Sequence, residues 1–262
     1  MTPFVRPRRV TDPALRLVVF HHAGGSAAAY HPLTRGLPAS WDVLLLDLPG
    51  RGKRHALPPL EDVSAAAALA ADDIMPFTGP PIALFGHSLG AVLATETARL
   101  LESRGVRPLW VGVSGRSAPG QLVPYRPLDH DLPDEQLLAG LGGVGGLHQR
   151  MAELPQFQER FLRLVRSDLR AVGSYRPDPR RTPLRAPLTA FGADQDQVAP
   201  PATMTHWARE TSGAFRQRTF PGGHFYFLGP AFPRFTADLA AEIQHAATRA
   251  PGREPGLEPA PA

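Results

Sequence analysis

Cysteine is absent from this chain of 262 residues. Disulfides, thiolate metal sites and a cysteine nucleophile are therefore excluded. Lysine occurs once, at Lys53, so arginine carries nearly all of the positive charge behind the net charge of +4. No arginine cluster alternates with aromatic residues, which argues against nucleic-acid binding. The arginine-rich composition is typical of a GC-rich coding sequence; the alternative is a basic face for an acidic partner.

Long hydrophobic runs are also missing. The arginine-bearing segment 1–13 is not followed by an apolar signal-peptide core, and the run Leu15–Phe20 is too short to span a membrane. We therefore expect a cytoplasmic protein with no membrane partner. Length and a hydrophobic share of 43% fit one large domain, which we place at residues 1–249. The Pro-, Gly- and Ala-rich segment 250–262 is expected to be a disordered tail.

Strand-like and helix-like segments alternate along most of the chain. Apolar runs predict strands at 15–20, 42–48, 82–85, 109–114, 188–191 and 215–220. Helices are predicted near residue 27 and at 63–75, 89–104, 201–211 and 232–248. This alternation predicts an α/β fold with a mostly parallel central sheet and helices on both faces.

The alternation is interrupted at residues 118–177. A short helix is expected over Asp134–Leu141, whereas the run Gly140–Gly146 is too rich in glycine for a stable helix. A long helix follows, with one apolar face formed by Phe157, Phe161, Leu164, Val165, Leu169 and Val172. We interpret the insertion as a helical lid in which Phe157, Phe161 and Leu164 contact the substrate. The alternative is a helical subdomain that never moves.

The segment Gly86-His87-Ser88-Leu89-Gly90 matches the pattern G-x-S-x-G. In a glycine-rich chain this pattern can arise by chance and mark an ordinary loop. Here a strand precedes it and a helix follows it, which is the context of a nucleophile elbow. The turn would hold Ser88 in a strained conformation, between glycines that avoid a collision of Cβ atoms. Ser88 is therefore the predicted nucleophile.

A serine hydroxyl needs a base, usually a histidine that an acid orients. In this architecture the chain order is Ser, then Asp or Glu, then His. Of the ten histidines, His224 alone follows a late strand in a glycine-rich loop. The loop after the preceding strand offers both Asp194 and Asp196. Because one of the two should face His224, we favour Asp196 as the acid, with Asp194 as a turn or cap residue.

The third requirement is a pair of backbone N–H groups that hold the oxyanion. One is expected from Leu89, which follows the nucleophile. The other is expected from Ala23, in the loop after the first predicted strand. A plain turn at Gly24-Gly25 is the alternative. Phosphate binding is disfavoured, because this loop lacks the G-x-G-x-x-G and G-K-S/T patterns.

Four stretches give the chain a resemblance to the type II thioesterases of polyketide and nonribosomal peptide pathways. They read FHHAGGSA at 20–27, LPGRGKR at 48–54, FGHSLGA at 85–91 and PGGHFY at 221–226. Two lid segments, LPDE at 132–135 and RSDLRA at 166–171, are also similar. The resemblance spans about residues 15–245. The chain departs from the family in its long glycine run and at His21, where the family often has proline.

The resemblance implies an α/β-hydrolase fold and a substrate acyl group linked as a thioester to the phosphopantetheine arm of an acyl or peptidyl carrier protein. It places the catalytic acid at Asp196 and supports Ala23 and Leu89 as oxyanion donors. No metal or other cofactor is expected, since the phosphopantetheine belongs to the substrate, and we expect a monomer. The implied role is the removal of stalled or wrong acyl groups from an assembly line.

Two other functional classes remain open at this point. A small-molecule carboxylesterase or lipase would use the same triad but would not depend on a carrier. A non-catalytic carrier-binding module would conflict with the complete set of Ser88, Asp196 and His224. Labelling of Ser88 by a fluorophosphonate separates the module from the enzymes.

Overall fold

A seven-stranded sheet forms the centre of the protein. The structure, a computed structural model, describes residues 3–121, 128–146 and 155–249. The strands are β1 (Phe4–Val5), β2 (Leu15–Phe20), β3 (Trp41–Leu46), β4 (Ile82–His87), β5 (Trp110–Ser114), β6 (Leu188–Ala193) and β7 (Phe215–Phe220). Their order is β1-β3-β2-β4-β5-β6-β7. Strands β2 to β7 are parallel, and β1 pairs antiparallel with β3.

Helices cover both faces of the sheet. The α-helices are α1 (Val63–Ile74), α2 (Leu89–Ser103), α3 (Asp134–Gly143), α4 (Pro155–Ser174), α5 (Pro201–Met204) and α6 (Phe232–Thr248). A 3-10 helix spans Ala27–Arg35. None of the helices in the described ranges combines the length and the hydropathy needed to span a membrane. The predicted α/β fold with a mostly parallel sheet is thus confirmed.

Successive residues of the central strands feed two separate apolar layers. In β2, Val18 and Phe20 join the layer packed by α1 and α2. Leu17 and Val19 join the layer packed by α6 and the 3-10 helix. This alternation follows from the two-residue period of a strand, and it explains why both faces of each strand are apolar. The loops that follow the parallel strands all emerge at one edge, where the candidate site lies.

Three details differ from the sequence-based expectations. Strand β1 was not predicted, because two residues carry no periodic signal. The predicted helix 201–211 is a short α5 followed by a 3-10 helix over Thr205–Glu210. Helix α3 continues into the glycine run as far as Gly143, which the run's composition argued against.

Packing and capping account for the extra length of α3. Leu137 and Leu141 are buried against Leu162 and Val165 of α4 in a small cluster of the lid. After the last helical residue, Gly143, the chain turns at Gly145, a glycine with positive φ, and the N–H of Gly146 donates to the carbonyl of Leu141 at 2.8 Å. Such an ending satisfies carbonyls that the helix leaves open. The rest of the predicted insertion, at 122–127 and 147–154, and the predicted tail 250–262 lie outside the described residues.

Candidate active site

Ser88 occupies the turn between β4 and α2. Its backbone has φ 56° and ψ −114°, and it is the one non-glycine residue in the described ranges with a positive φ. Its N–H donates to the carbonyl of Ser114 on the neighbouring strand β5 at 2.7 Å. A strained conformation held by its surroundings is typical of functional sites. The predicted elbow is therefore present in its full geometric form.

The two glycines of the elbow are required by backbone collisions. A Cβ on Gly86 would lie 1.9 Å from the carbonyl oxygen of Gly90. A Cβ on Gly90 would lie 2.3 Å from the carbonyl oxygen of Phe20, at the end of β2. Because these contacts are with backbone atoms, no side-chain movement relieves them. The elbow and the loop after β2 thus pack directly against each other.

His224 and Asp196 form a buried pair beside the elbow. Nδ1 of His224 lies 2.9 Å from Oδ2 of Asp196, and the two side chains are 4% and 0% exposed. The other carboxylate oxygen accepts from the N–H groups of Val198 at 2.9 Å and Ala199 at 3.1 Å. Burial acts to raise the pKa of Asp196, but the contacts with His224 and these N–H groups hold this pKa below its ordinary value. The carboxylate is thus kept charged where it can orient the imidazole.

Asp194, the alternative acid, faces elsewhere. It is exposed, and its Oδ1 accepts from the N–H of Gly222 at 2.9 Å. It therefore braces the loop that carries His224 and does not contact the imidazole. The geometry favours Asp196 as the partner of His224, as the sequence indicated.

One cavity of about 480 Å³ is lined by Ser88, His224, Ala23 and Leu89. Leu89 is the first residue of α2, so its N–H has no acceptor within the helix. The structure thus brings together both predicted oxyanion donors with the nucleophile and the base. Several lid residues complete the wall, and they are Leu128, His130, Leu169, Val172, Tyr175 and Arg176.

The three lid residues predicted to contact substrate lie away from this cavity. Phe157 is 64% exposed, Phe161 lies against Gly24, and Leu164 lies against Gly50. Helix α4 has 20 residues, and its N-terminal half crosses the loops around Gly24 and Gly50. Its C-terminal half, at Leu169 and Val172, reaches the cavity. The predicted apolar stripe is buried or partly buried except at Phe157, and its two halves have different neighbours.

Two further histidines, His87 and His22, lie near the His224–Asp196 pair. His87 lies with its ring centroid 4.7 Å from that of His224, and its Nδ1 is 2.8 Å from the hydroxyl of Ser114. Burial, followed by the charge of His224, lowers the pKa of His87 well below its ordinary value. Burial, followed by the charges of His224 and Arg51, lowers the pKa of His22 to about 3. Both neighbours therefore stay neutral, and neither competes with His224 for a proton.

A buried ion pair between Asp168 of α4 and Arg51, in the loop after β3, lies against the loop that carries Ala23, here called the oxyanion loop (residues 22–25). The Arg51 guanidinium contacts the Asp168 carboxylate at 2.6 and 2.8 Å, and both side chains are at most 4% exposed. Asp168 also accepts the N–H of Gly24 at 2.7 Å. No role for Arg51 or Asp168 was predicted, because the two residues are far apart in the chain and no local pattern links them.

One group of potential metal ligands occurs in the described ranges, at Asp129, His130 and Asp131. The ring nitrogens of His130 lie 3.2 Å and 3.4 Å from the two carboxylates. Both aspartates are exposed, and such contacts are ordinary polar contacts of a surface loop. We assign no metal to this group.

Fold and site together define a serine hydrolase of the α/β-hydrolase class. A family model described as a thioesterase domain matches residues 15–243. The chain therefore belongs to the thioesterase domain family and is an enzyme of that family. The resemblance to type II thioesterases is confirmed by the relatives described next.

Thioesterase PikA5 of Streptomyces venezuelae is 40% identical over 221 residues, covering 82% of this chain and 76% of that protein. The gramicidin S biosynthesis protein GrsT of Aneurinibacillus migulanus is 32% identical over 225 residues, covering 85% and 87%. RedJ, a thioesterase from the prodiginine pathway of Streptomyces coelicolor, superposes with a TM-score of 0.81 at 37% identity, covering 88% and 91%. The type II thioesterase BorB from the borrelidin cluster superposes at 0.82 with 35% identity, covering 93% and 98%.

Proposed function

We propose that this thioesterase hydrolyses acyl groups from the phosphopantetheine arm of acyl or peptidyl carrier proteins, and so edits polyketide or nonribosomal peptide assembly. The observation that carries the proposal is the buried His224–Asp196 pair, whose histidine lines the same cavity as the strained Ser88. Relatives named for gramicidin S and prodiginine biosynthesis support the assembly-line setting. Leu128, Leu169 and Val172 supply an apolar wall for an acyl chain.

In the first half of the reaction, the Ser88 hydroxyl attacks the thioester carbonyl and Nε2 of His224 takes its proton. Asp196 accepts the Nδ1–H of His224, fixes the tautomer and stabilises the imidazolium. The N–H groups of Ala23 and Leu89 hold the negative oxygen of the tetrahedral intermediate. The C–S bond then breaks, and His224 returns the proton to the leaving pantetheine sulfur.

In the second half, His224 takes a proton from a water molecule that attacks the acyl-serine carbonyl. The same two N–H groups hold the second oxyanion, and the proton passes to Ser88 as the acid leaves. Each step uses water and groups of this chain, so the proposed mechanism calls for no metal or organic cofactor. One copy of the chain supplies all of these groups, and we propose that the enzyme acts as a monomer.

The proposal is tested by a mass-spectrometric deacylation assay with a panel of acyl carrier proteins. The expected result is loss of the acyl mass from the carrier with wild-type protein. Folded Ser88→Ala protein should act several orders of magnitude more slowly, because only binding and the oxyanion hole remain. Hydrolysis of aryl esters with no turnover of any carrier would favour a carboxylesterase instead.

A further inference from the structure

The oxyanion loop is a β-turn whose central peptide group donates a hydrogen bond to a side chain of α4. The N–H of Gly25 donates to the carbonyl of His22 at 3.0 Å, and Gly24 has a φ of +72°. A positive φ at the third residue is the mark of a type II turn. The type I and type II forms differ mainly in the orientation of the peptide between the second and third residues, here Ala23 and Gly24. The N–H of that peptide is the one that Asp168 accepts.

We propose that Asp168 is a positioning residue for the oxyanion hole. By accepting the Gly24 N–H, it holds the Ala23–Gly24 peptide in the type II orientation. The turn fixed in this way also holds the adjoining His22–Ala23 peptide, whose N–H is the proposed oxyanion donor. The inference rests on the proposed acyl transfer at Ser88 and on Ala23 as an oxyanion donor. It adds a link between the lid helix and the chemistry.

Arg51 completes this arrangement from the other side. Its Nη1 contacts Asp168 at 2.6 Å and the carbonyl of Gly25 at 3.3 Å. The carboxylate and the guanidinium therefore hold backbone groups of two consecutive residues, the N–H of Gly24 and the carbonyl of Gly25. Charge-assisted hydrogen bonds of this kind are the stronger ones, and burial strengthens them further. Arg51 also keeps the charge of Asp168 compensated in a site where water does not reach it.

Two apolar side chains of α4 also pack closely against Gly24. A Cβ on Gly24 would lie 2.5 Å from Cγ2 of Val165 and 2.9 Å from Cε2 of Phe161. Phe161, Val165 and Asp168 follow one another at helical spacing, so a single face of α4 lies on the turn. Movement of α4 away from the core would remove the acceptor of Gly24 and the packing together. The oxyanion hole is thus complete only while α4 stays seated.

The test compares Asp168→Ala and Asp168→Asn with wild type on p-nitrophenyl acetate, a small ester that needs no carrier. Removing one oxyanion donor costs about 10²–10³ in kcat, so a misplaced donor should cost about 10–100-fold in Asp168→Ala with KM nearly unchanged. Asn keeps an oxygen that can accept the Gly24 N–H, so kcat should fall less in Asp168→Asn than in Asp168→Ala.

A pair of inhibitors separates positioning from general damage to the fold. A trifluoromethyl ketone analogue forms a tetrahedral adduct that uses the oxyanion hole, whereas a thioether analogue of acyl-pantetheine binds as a ground state. The affinity for the ketone should fall in proportion to kcat in both Asp168 variants, while the affinity for the thioether stays unchanged. If Asp168→Ala does not fold, the test uses Asp168→Asn alone. A lower ratio of ketone affinity to thioether affinity than in wild type then supports the proposal, and an unchanged ratio contradicts it.

A second ion pair of α4 provides the matched control. Arg170 contacts Glu61 at 2.7 Å across an exposed surface, so Arg170→Gln breaks a bond between α4 and the core without touching the oxyanion loop. This variant should keep wild-type kcat and wild-type affinities for both inhibitors. Equal weakening of ketone and thioether in the Asp168 variants, or wild-type kcat in Asp168→Ala, would overturn the proposal. If the wild-type protein hydrolyses the small ester but turns over no acyl carrier, the proposed function is contradicted and the positioning role of Asp168 is not.

Discussion

The imidazole ring of His87 lies 4.7 Å from that of His224, yet the two rings have opposite surroundings. Nδ1 of His224 contacts the Asp196 carboxylate at 2.9 Å, whereas Nδ1 of His87 contacts the neutral Ser114 hydroxyl at 2.8 Å. The Ser114 oxygen in turn lies 2.8 Å from the hydroxyl of Tyr226. Of the two histidines, His224 is the one whose Nδ1 faces a carboxylate.

The buried neutral histidines predict acid sensitivity of the fold. The pKa of His22 falls to about 3 through burial and the nearby charges, while an unfolded histidine has an ordinary pKa of about 6.5. Between these values the unfolded chain binds a proton that the folded chain does not. Stability should therefore fall as the pH drops below about 6.5, by roughly 1.4 kcal/mol per pH unit from His22 alone.

Urea unfolding at pH 7, 6 and 5 checks this prediction. The midpoint should decrease on acidification in wild type and less steeply in His22→Asn. His31 is exposed on the 3-10 helix, so His31→Asn should keep the wild-type slope and serves as the control. A wild-type midpoint that stays constant between pH 6.5 and 5 would contradict the prediction.

The assignment of the acid is tested by a matched pair of substitutions. Asp196→Asn should lower kcat by roughly 10⁴-fold, because an amide favours the wrong imidazole tautomer. Asp194→Asn should have a small effect, since this side chain is exposed and holds the N–H of Gly222 through an oxygen that Asn also has. The measurement is single-turnover hydrolysis of an acyl-pantetheine thioester. The opposite ranking would move the acid to Asp194.

Acyl preference should depend on the C-terminal half of α4. Leu169→Phe and Val172→Phe add bulk to the cavity wall and should exclude long acyl chains. One methylene in an apolar pocket is worth about 1–3 kcal/mol, so discrimination against longer chains should change tenfold or more. Phe157→Ala is the control, because Phe157 is 64% exposed and away from the cavity.

This prediction is measured with folded variants on carriers that bear acyl groups of increasing length. The chain-length profile should shift toward shorter groups in the two Phe variants only. If the Phe157 variant shifts the profile and the other two do not, the original sequence-based assignment of the lid contacts is the better one.

Salt should separate carrier docking from chemistry. Carrier proteins are typically acidic and this chain has a net charge of +4, so we expect docking to depend on charge. The Debye length falls from about 10 Å at 0.1 M to about 3 Å at 1 M salt. The value of kcat/KM for acyl carriers should therefore fall over this range, while that for a short acyl-pantetheine should change much less. Equal responses would argue against electrostatic docking.

The sequence predicted those features that have a local pattern. The strand, turn and helix around Ser88, and the order of Ser88, Asp196 and His224, could be read because each belongs to a short motif at a strand end. The contact between Arg51 and Asp168 has no such pattern, since it depends on how two distant segments pack. Its residues lay within stretches shared with the family, but nothing in either stretch indicated the other.

Helices were predicted less well where tertiary contacts decide their ends. Composition argued against helix in the glycine run, yet α3 extends to Gly143 because Leu137 and Leu141 are buried against α4. In α4, periodicity identified an apolar face but not its neighbours. Only the fold places Phe161 on the oxyanion loop and Val172 on the cavity.

The contact between Gly90 and the end of β2 has a consequence for how enzymes of this kind diversify. A Cβ at Gly90 would meet the carbonyl oxygens of Phe20 at 2.3 Å and His21 at 2.8 Å, so main chain touches main chain between the two segments that carry the proposed oxyanion donors. The spacing of the proposed donors thus depends on this main-chain contact and on the contacts of α4 with the oxyanion loop, rather than on side chains such as Val172 that line the cavity. On the proposed function, substitutions at positions such as Val172 would alter the accepted acyl group during evolution while the reaction centre keeps its dimensions.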